Sequence, residues 1–220
     1  MIKSGKIFSF EGIDQSGKEK QSKLLFEKLK EEGEEVLYLS FPAYETDIGK
    51  LLRKFLDGEI ELSTQTRHLL YTANRFEFKN KIDKAISQGK HVILNRYSES
   101  GIAYGIANGL DKSWLQNIEI GLPPADIIFY FPITPQTAFK RKPENRDRYE
   151  KNIEFLKKCL ESYMSLAVDG SRFWHIIDGE KEIETIHREV CFFALSLIDQ
   201  DASKIDRKSF FINSLSTVLD

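Results

Sequence analysis

Gly12-Ile13-Asp14-Gln15-Ser16-Gly17-Lys18 has the spacing GxxxxGK, set between a short apolar run and a helix-like pattern. These residue types in this order suit the binding of a phosphate chain. Glycines let consecutive backbone N–H groups turn inward around anionic oxygens, and the helix N-terminus behind them adds positive potential. A lysine closing the loop, here Lys18, supplies a mobile point charge for the β- and γ-phosphates of a nucleotide. Read without its surroundings, the same string is also a glycine-rich turn followed by a surface lysine. The next position ordinarily carries a Ser or Thr hydroxyl for Mg2+, but here it is Glu19. A carboxylate there either ligates the metal or repels the triphosphate, and the residue types leave both open.

A second chemical feature lies far along the chain. Residues 140–151 hold six cations (Lys140, Arg141, Lys142, Arg146, Arg148 and Lys151) against three anions, in a 220-residue chain of net charge -2. Taken alone, such a run is most often a solvated helix face. Next to a phosphate loop it can neutralise transferred charge, a task suited to the planar donor fork of arginine.

The elements that must carry these groups are legible as alternating patterns. Apolar runs at Ile7–Phe10, Val36–Leu39, Val92–Leu94, Ile127–Phe131 and Trp174–Ile177 read as strands buried on both faces, the mark of a parallel sheet. Helical spacing separates them. One helix stops near Gly33; Ser63 is a plausible N-cap for a long helix ending at Gly89; Thr134-Pro135 is an N-cap with proline in the first turn; residues 152–167 repeat apolar positions at helical spacing. The alternation predicts a three-layer α/β fold, with residues 1–200 as one domain and 201–220 as an appended amphipathic helix.

Composition narrows the function classes. Thirty-two basic against 34 acidic residues argue against a generally basic nucleic-acid binder, and no apolar run reaches the length of a membrane span. Residues 1–6 lead directly into a strand-like run, and Cys159 and Cys191 read as separate reduced thiols, so the expectation is a cytoplasmic protein without disulfides. The four histidines show no metal-ligand spacing.

Phe10-Glu11-Gly12-Ile13-Asp14, with Gly17-Lys18 and Gln21, resembles the opening of the thymidylate kinases, a family of P-loop nucleoside monophosphate kinases. Further pieces follow in that family's order: Phe41-Pro42, Ile48-Gly49, Leu70-Tyr71-Thr72-Ala73-Asn74-Arg75-Phe76-Glu77, Asn95-Arg96-Tyr97, Ser100-Gly101-Ile102-Ala103-Tyr104, Gly121-Leu122-Pro123-Pro124-Ala125-Asp126, and Arg148-Tyr149-Glu150. The resemblance implies a P-loop kinase fold with a five-stranded parallel sheet flanked by helices and a lid at 140–151. It implies transfer of the γ-phosphoryl group of ATP to dTMP with Mg2+, by a homodimer that takes no nucleic acid and no membrane as partner.

By resemblance, residues 12–20 cradle ATP: Gly12, Ile13, Asp14, Gln15, Ser16, Gly17, Lys18, Glu19 and Lys20, with Arg141 stacking on adenine. Asp14 binds the 3′-hydroxyl of the acceptor, Tyr71 stacks on thymine and Arg75 holds the pyrimidine or its phosphate side. Arg96 grips the acceptor phosphate, and Tyr104 presses on the sugar. Phe41, Pro42, Ser100, Gly101 and Tyr149 complete the acceptor site. Lys18, Arg96, Arg146 and Asp14 form the catalytic set, with Arg146 as the lid arginine, since Gln15 is not one. Singly, Tyr71 also reads as core, Arg75 and Arg96 as structural ion pairs, and Asp14 as a turn residue.

The metal side departs from the family pattern. Asn95 stands where an Asp is usual, Glu19 where a hydroxyl is usual, and Lys20 where Ser or Thr is usual. One reading is compensation, with Glu19 and Asn95 sharing the metal site, partly through water. Another is a weakly catalytic nucleotide-binding relative. A third is the same fold acting on dUMP, UMP or thymidine.

Overall fold

The computed structural model describes residues 4–170 and 172–199. Five strands form a single parallel sheet: β1 (Ile7–Glu11), β2 (Val36–Ser40), β3 (His91–Asn95), β4 (Ile127–Tyr130) and β5 (Trp174–Ile176), in the order β2-β3-β1-β4-β5. The chain places β2 and β3 on one side of β1 and then crosses to β4 on the other. Ligand crevices in open α/β sheets form at such a reversal, beyond the carboxyl ends of the strands. Phe10 lies opposite Asn95 in the β1–β3 ladder, so the segments that follow, Gly12 onward and Arg96 onward, emerge side by side.

Alternation along β1 sorts its side chains between two cores. Phe8 and Phe10 face the helices α1 (Lys18–Glu31) and α9 (Ile183–Ile198), where Leu25, Leu29, Val190 and Phe193 are all buried with them. Ile7 faces the opposite layer, with Val92, Leu94, Ile128 and Tyr130 of the neighbouring strands. Here α5 (Ser98–Ala107) packs on α8 (Ile153–Val168), and Tyr163 and Leu166 of α8 are buried. Each fully buried Phe or Leu contributes about 1.5–3 kcal/mol, so the two apolar layers fix the sheet between its helices. Among the described residues no helix is long and apolar enough to cross a membrane.

The remaining helices are α2 (Asp47–Asp57), α3 (Thr64–Phe76), α4 (Lys79–Ser87), α6 (Lys112–Ile118) and α7 (Pro135–Arg141). Ser63 caps α3 through the Thr66 N–H at 3.2 Å, and Thr134 caps α7 through the Thr137 N–H at 3.1 Å. The long helix expected from Ser63 to Gly89 is two helices instead. It breaks at Glu77 and Phe78, where Phe78 turns its ring edge-on to Phe41 at 5.5 Å. The expected helix at 201–220 lies outside the described residues. Residues 142–152 form a non-helical segment between α7 and α8; of the lid that the resemblance implies at 140–151, Lys140 and Arg141 belong to α7 instead.

Candidate active site

The loop after β1 has the backbone its glycines permit. Gly12, Gln15 and Gly17 take φ values of 146°, 67° and 92°, and a Cβ on Gly12 would meet Phe131 O and Ser16 Oγ at 2.8 Å. Ile13 and Ser16 are buried, and Gly17 opens α1. Lys18 folds back over the loop, donating from Nζ to Ile13 O at 3.0 Å, with Asp14 Oδ1 at 3.6 Å. Burial and the charge of Arg96 bring its pKa down to about 8, against the pull of Asp14 and Glu11.

Two cavities meet at Asp14. One runs along the loop and is lined by Gln15, Gly17, Lys18, Glu19, Lys20 and Arg141, with Gly179 opposite. The other is lined by Phe41, Pro42, Tyr71, Arg75, Arg96, Ser100, Gly101, Tyr104 and Tyr149. Asp14 lines both, which makes it the junction of the site. Burial works against its ionised form, but the charges of Arg96 and Lys18 outweigh that and hold the carboxyl well below the usual carboxylate range.

Arg96 is held by its backbone as well as by its side chain. It has a left-handed φ of 63°, uncommon without glycine. Its Nη2 donates to Asp14 Oδ1 at 2.8 Å, its Nη1 to Ser100 Oγ at 3.2 Å, and its guanidinium lies 5.3 Å from the centre of the Tyr104 ring. Arg75 is clamped from behind. Its Nε donates to Glu119 Oε2 at 3.0 Å, its Nη2 to Glu119 Oε1 and to Thr72 Oγ1 at 3.2 Å. Gly101 makes room for this pair, since a Cβ there would stand 2.5 Å from Arg75 Nη2. Tyr149 stacks on Phe155 at 4.8 Å and meets the Tyr104 ring edge-on at 5.7 Å, closing the aromatic wall. The Phe41-Pro42 peptide is cis.

Most of the expected site residues therefore gather around the two cavities. Three placements differ from expectation. Arg146 points into the lid: Nη1 donates to Glu150 O at 3.0 Å, Nη2 to Ala138 O at 2.6 Å, and the guanidinium lies 3.6 Å from the Phe139 ring centre. Two of its nitrogens are thus held by a carbonyl of that segment and by one of α7, while its Nε has no hydrogen-bond partner among the described residues. Glu19 is largely exposed and paired with Lys23 at 2.6 Å. Asn95 lines neither cavity; its Nδ2 donates to Ser40 Oγ at 2.9 Å. Glu19 and Asn95 thus do not share a pocket, so the arrangement does not support compensation between them.

Sequence reasoning missed Asp147 and Leu56 in the second cavity and Glu119 behind Arg75. Asp147 was visible only as one anion within a cationic run. Glu119 carries no local signal, because it reaches Arg75 across 44 positions. Arg141, expected to stack on adenine, lines the first cavity, with Nη1 on Gln15 O at 2.9 Å and Nη2 on Gly179 O at 2.8 Å.

Comparison with known proteins agrees with this geometry. The family model described as thymidylate kinase matches residues 10–190. A thymidylate kinase of Plasmodium falciparum is 41% identical over 189 residues, covering 86% of this chain and 89% of that protein. The human thymidylate kinase is 33% identical over 187 residues, covering 84% of this chain and 88% of that protein. Among solved structures, thymidylate kinase from Candida albicans superposes with a TM-score of 0.76 at 29% identity, over 90% of this chain and 93% of that one. With a phosphate loop and an arginine-lined pocket meeting at one aspartate, and a family match across most of its length, the chain belongs to the thymidylate kinase family.

Proposed function

We propose that this chain transfers the γ-phosphoryl group of ATP to dTMP, giving ADP and dTDP. The observation that carries the reading is the Asp14–Arg96 pair at the meeting point of the loop cavity and the aromatic, arginine-lined cavity. ATP occupies the first, with Lys18 exchanging Ile13 O for phosphate oxygens and Arg141 lying beside the base. dTMP occupies the second. Tyr71 and Arg75 face its pyrimidine, Tyr104 and Tyr149 enclose its sugar, and Arg96 takes its phosphate.

Phosphoryl transfer asks mainly for positioning and for neutralisation of charge. The acceptor is already an anion, so no strong general base is needed. What opposes reaction is repulsion between two polyanions, and fixed cations at the junction remove it. Lys18 serves the donor side and Arg96 the acceptor side. Asp14 keeps Arg96 oriented while the site is empty and then receives the acceptor's 3′-hydroxyl.

Of the carboxylates here, Asp14 is already paired with Arg96 and Lys18, while Glu19 lines the loop cavity and would face a Mg2+ ion held on the donor phosphates. Mg2+ ordinarily keeps several waters and takes one or two carboxylates plus substrate phosphates. When bound, Mg2+ supplies charge neutralisation on the phosphate oxygens.

We also propose a homodimer through α2 and α3. Leu51, Leu69 and Phe76 are 37%, 48% and 36% exposed, and Leu69 and Phe76, seven residues apart, share a face of α3. Light scattering on the purified protein tests it. The activity itself is tested by ADP release with dTMP, dUMP, UMP and thymidine, each with and without Mg2+. Turnover fastest with dTMP and dependent on Mg2+ supports the reading. ATP binding without turnover on any acceptor refutes it.

A further inference from the structure

Glu11 is fully buried at the end of β1 and lines neither cavity itself, but two residues that it holds, Tyr97 and Ser100, line the second. Its carboxylate accepts four hydrogen bonds from three separate segments. Ser9 Oγ and the Tyr97 N–H donate to Oε1, each at 2.8 Å. Ser100 Oγ and Tyr163 OH donate to Oε2 at 2.5 and 3.2 Å. Its direct partners are thus neutral groups, and the cations Lys18 and Arg75 feel its charge through space.

A fully buried carboxylate costs several kcal/mol of desolvation unless its acceptor sites are filled, so one retained at this point is paired to donors for a reason beyond burial. Two of its partners border Arg96. Arg96 N–H is tied to Phe10 O at 3.0 Å, and the next amide, Tyr97 N–H, is tied to the Glu11 side chain. The strained left-handed turn at Arg96 is therefore pinned to β1 on both of its peptide units. Ser100, which Glu11 orients, accepts from Arg96 Nη1. Tyr163 brings in α8, the helix that follows the lid segment. The carboxylate also sits at the N-terminus of α5, where the helix dipole favours an anion.

We propose that Glu11 is a positioning residue for phosphoryl transfer, holding Arg96 at the angle from which it meets the acceptor phosphate. The inference rests on the role given to Arg96 above. Glu11 touches no substrate; it sets the backbone turn and the hydroxyl that aim the guanidinium. Two acceptor oxygens are needed as well as the shape, because a glutamine side chain presents an N–H2 group toward one pair of donors.

A double-mutant cycle between Glu11→Gln and Arg96→Ala separates positioning from general damage. In the wild-type background, Glu11→Gln is expected to lower kcat/KM for dTMP about 10- to 100-fold, the scale of a small misplacement at a reacting centre. Affinity for a non-hydrolysable ATP analogue stays within about twofold. In the Arg96→Ala background, Glu11→Gln has almost no further effect on kcat/KM. Losses that multiply overturn the proposal, as does a folded Glu11→Gln protein with unchanged kcat/KM. If Glu11→Gln does not fold, Tyr163→Phe, which removes one donor and keeps the ring, is run through the same cycle with the same criteria. An Arg96→Ala protein with unchanged kcat/KM for dTMP refutes the role of Arg96 itself and takes this inference with it.

Discussion

Replacing Glu119 with alanine should destabilise the protein and impair the acceptor site at once. The side chains of Arg75 and Glu119 are only 4% and 7% exposed, and their pairing satisfies two nitrogens of the guanidinium. Removing the carboxylate leaves a buried cation without its partner, at a cost of about 3–5 kcal/mol. The Thr72 hydroxyl, which donates to Glu119 Oε1 at 2.6 Å, loses its acceptor too and adds about 1 kcal/mol. For a chain of this size that corresponds to a fall in Tm of roughly 8–24 °C. Urea unfolding followed by circular dichroism reads the stability, and steady-state kinetics read KM for dTMP. The double replacement Arg75→Met with Glu119→Leu then separates two causes. Two apolar side chains of similar volume remove the unpaired charge, so most of the stability returns, while KM for dTMP remains raised because no guanidinium faces the base. A Glu119→Ala protein within about 1 kcal/mol of wild type would refute the reasoning. So would a double variant no more stable than the single one.

Two further outcomes follow from the site. Lys18 is deprotonated in the empty protein as pH rises through about 8, well below the ordinary lysine value of 10.5, and a bound triphosphate favours its charged form. Binding of a non-hydrolysable ATP analogue should therefore take up a growing fraction of a proton as pH rises through about 8 towards 9. Calorimetry in buffers of different ionisation enthalpy measures this, and no uptake at pH 9 would contradict it. Arg146→Ala should cut turnover far more than affinity for the ATP analogue. Arg146→Lys should fail to restore turnover, because one ammonium cannot reach both Ala138 O and Glu150 O in the geometry of the fork. Equal losses in turnover and ATP affinity, or full rescue by lysine, would refute a lid-ordering role.

What the sequence made legible was what local pattern encodes. Five apolar runs became five parallel strands because a strand buried on both faces needs little but apolar side chains. The phosphate loop was legible because its glycines are demanded by backbone angles within the motif itself. The break at Phe78 was not, since no glycine or proline marks it and a distant ring, Phe41, draws the side chain away. Helix α5 was hidden for a related reason. Gly101 and Gly105 lower its local propensity, and both are required by tertiary neighbours: added Cβ atoms would stand 2.5 Å from Arg75 Nη2 and 2.4 Å from Leu115 Cδ2. The charge count of the lid showed that cations were present but not their direction, so the hold of Glu150 O and Ala138 O on Arg146 was not legible. Glu11 was quoted within the opening motif, yet its purpose depends on Tyr97, Ser100 and Tyr163, which only the fold brings to it.

In the proposed reaction, Arg96 and Lys18 hold an acceptor phosphate and a donor phosphate face to face. The most direct measurement follows the label from γ-phosphate-labelled ATP in the presence of dTMP and Mg2+, with products resolved by chromatography. The wild-type protein should give labelled dTDP. Arg96→Ala should give almost none while still binding the ATP analogue. Label released only as inorganic phosphate, or dTDP formed equally well by both proteins, would contradict this.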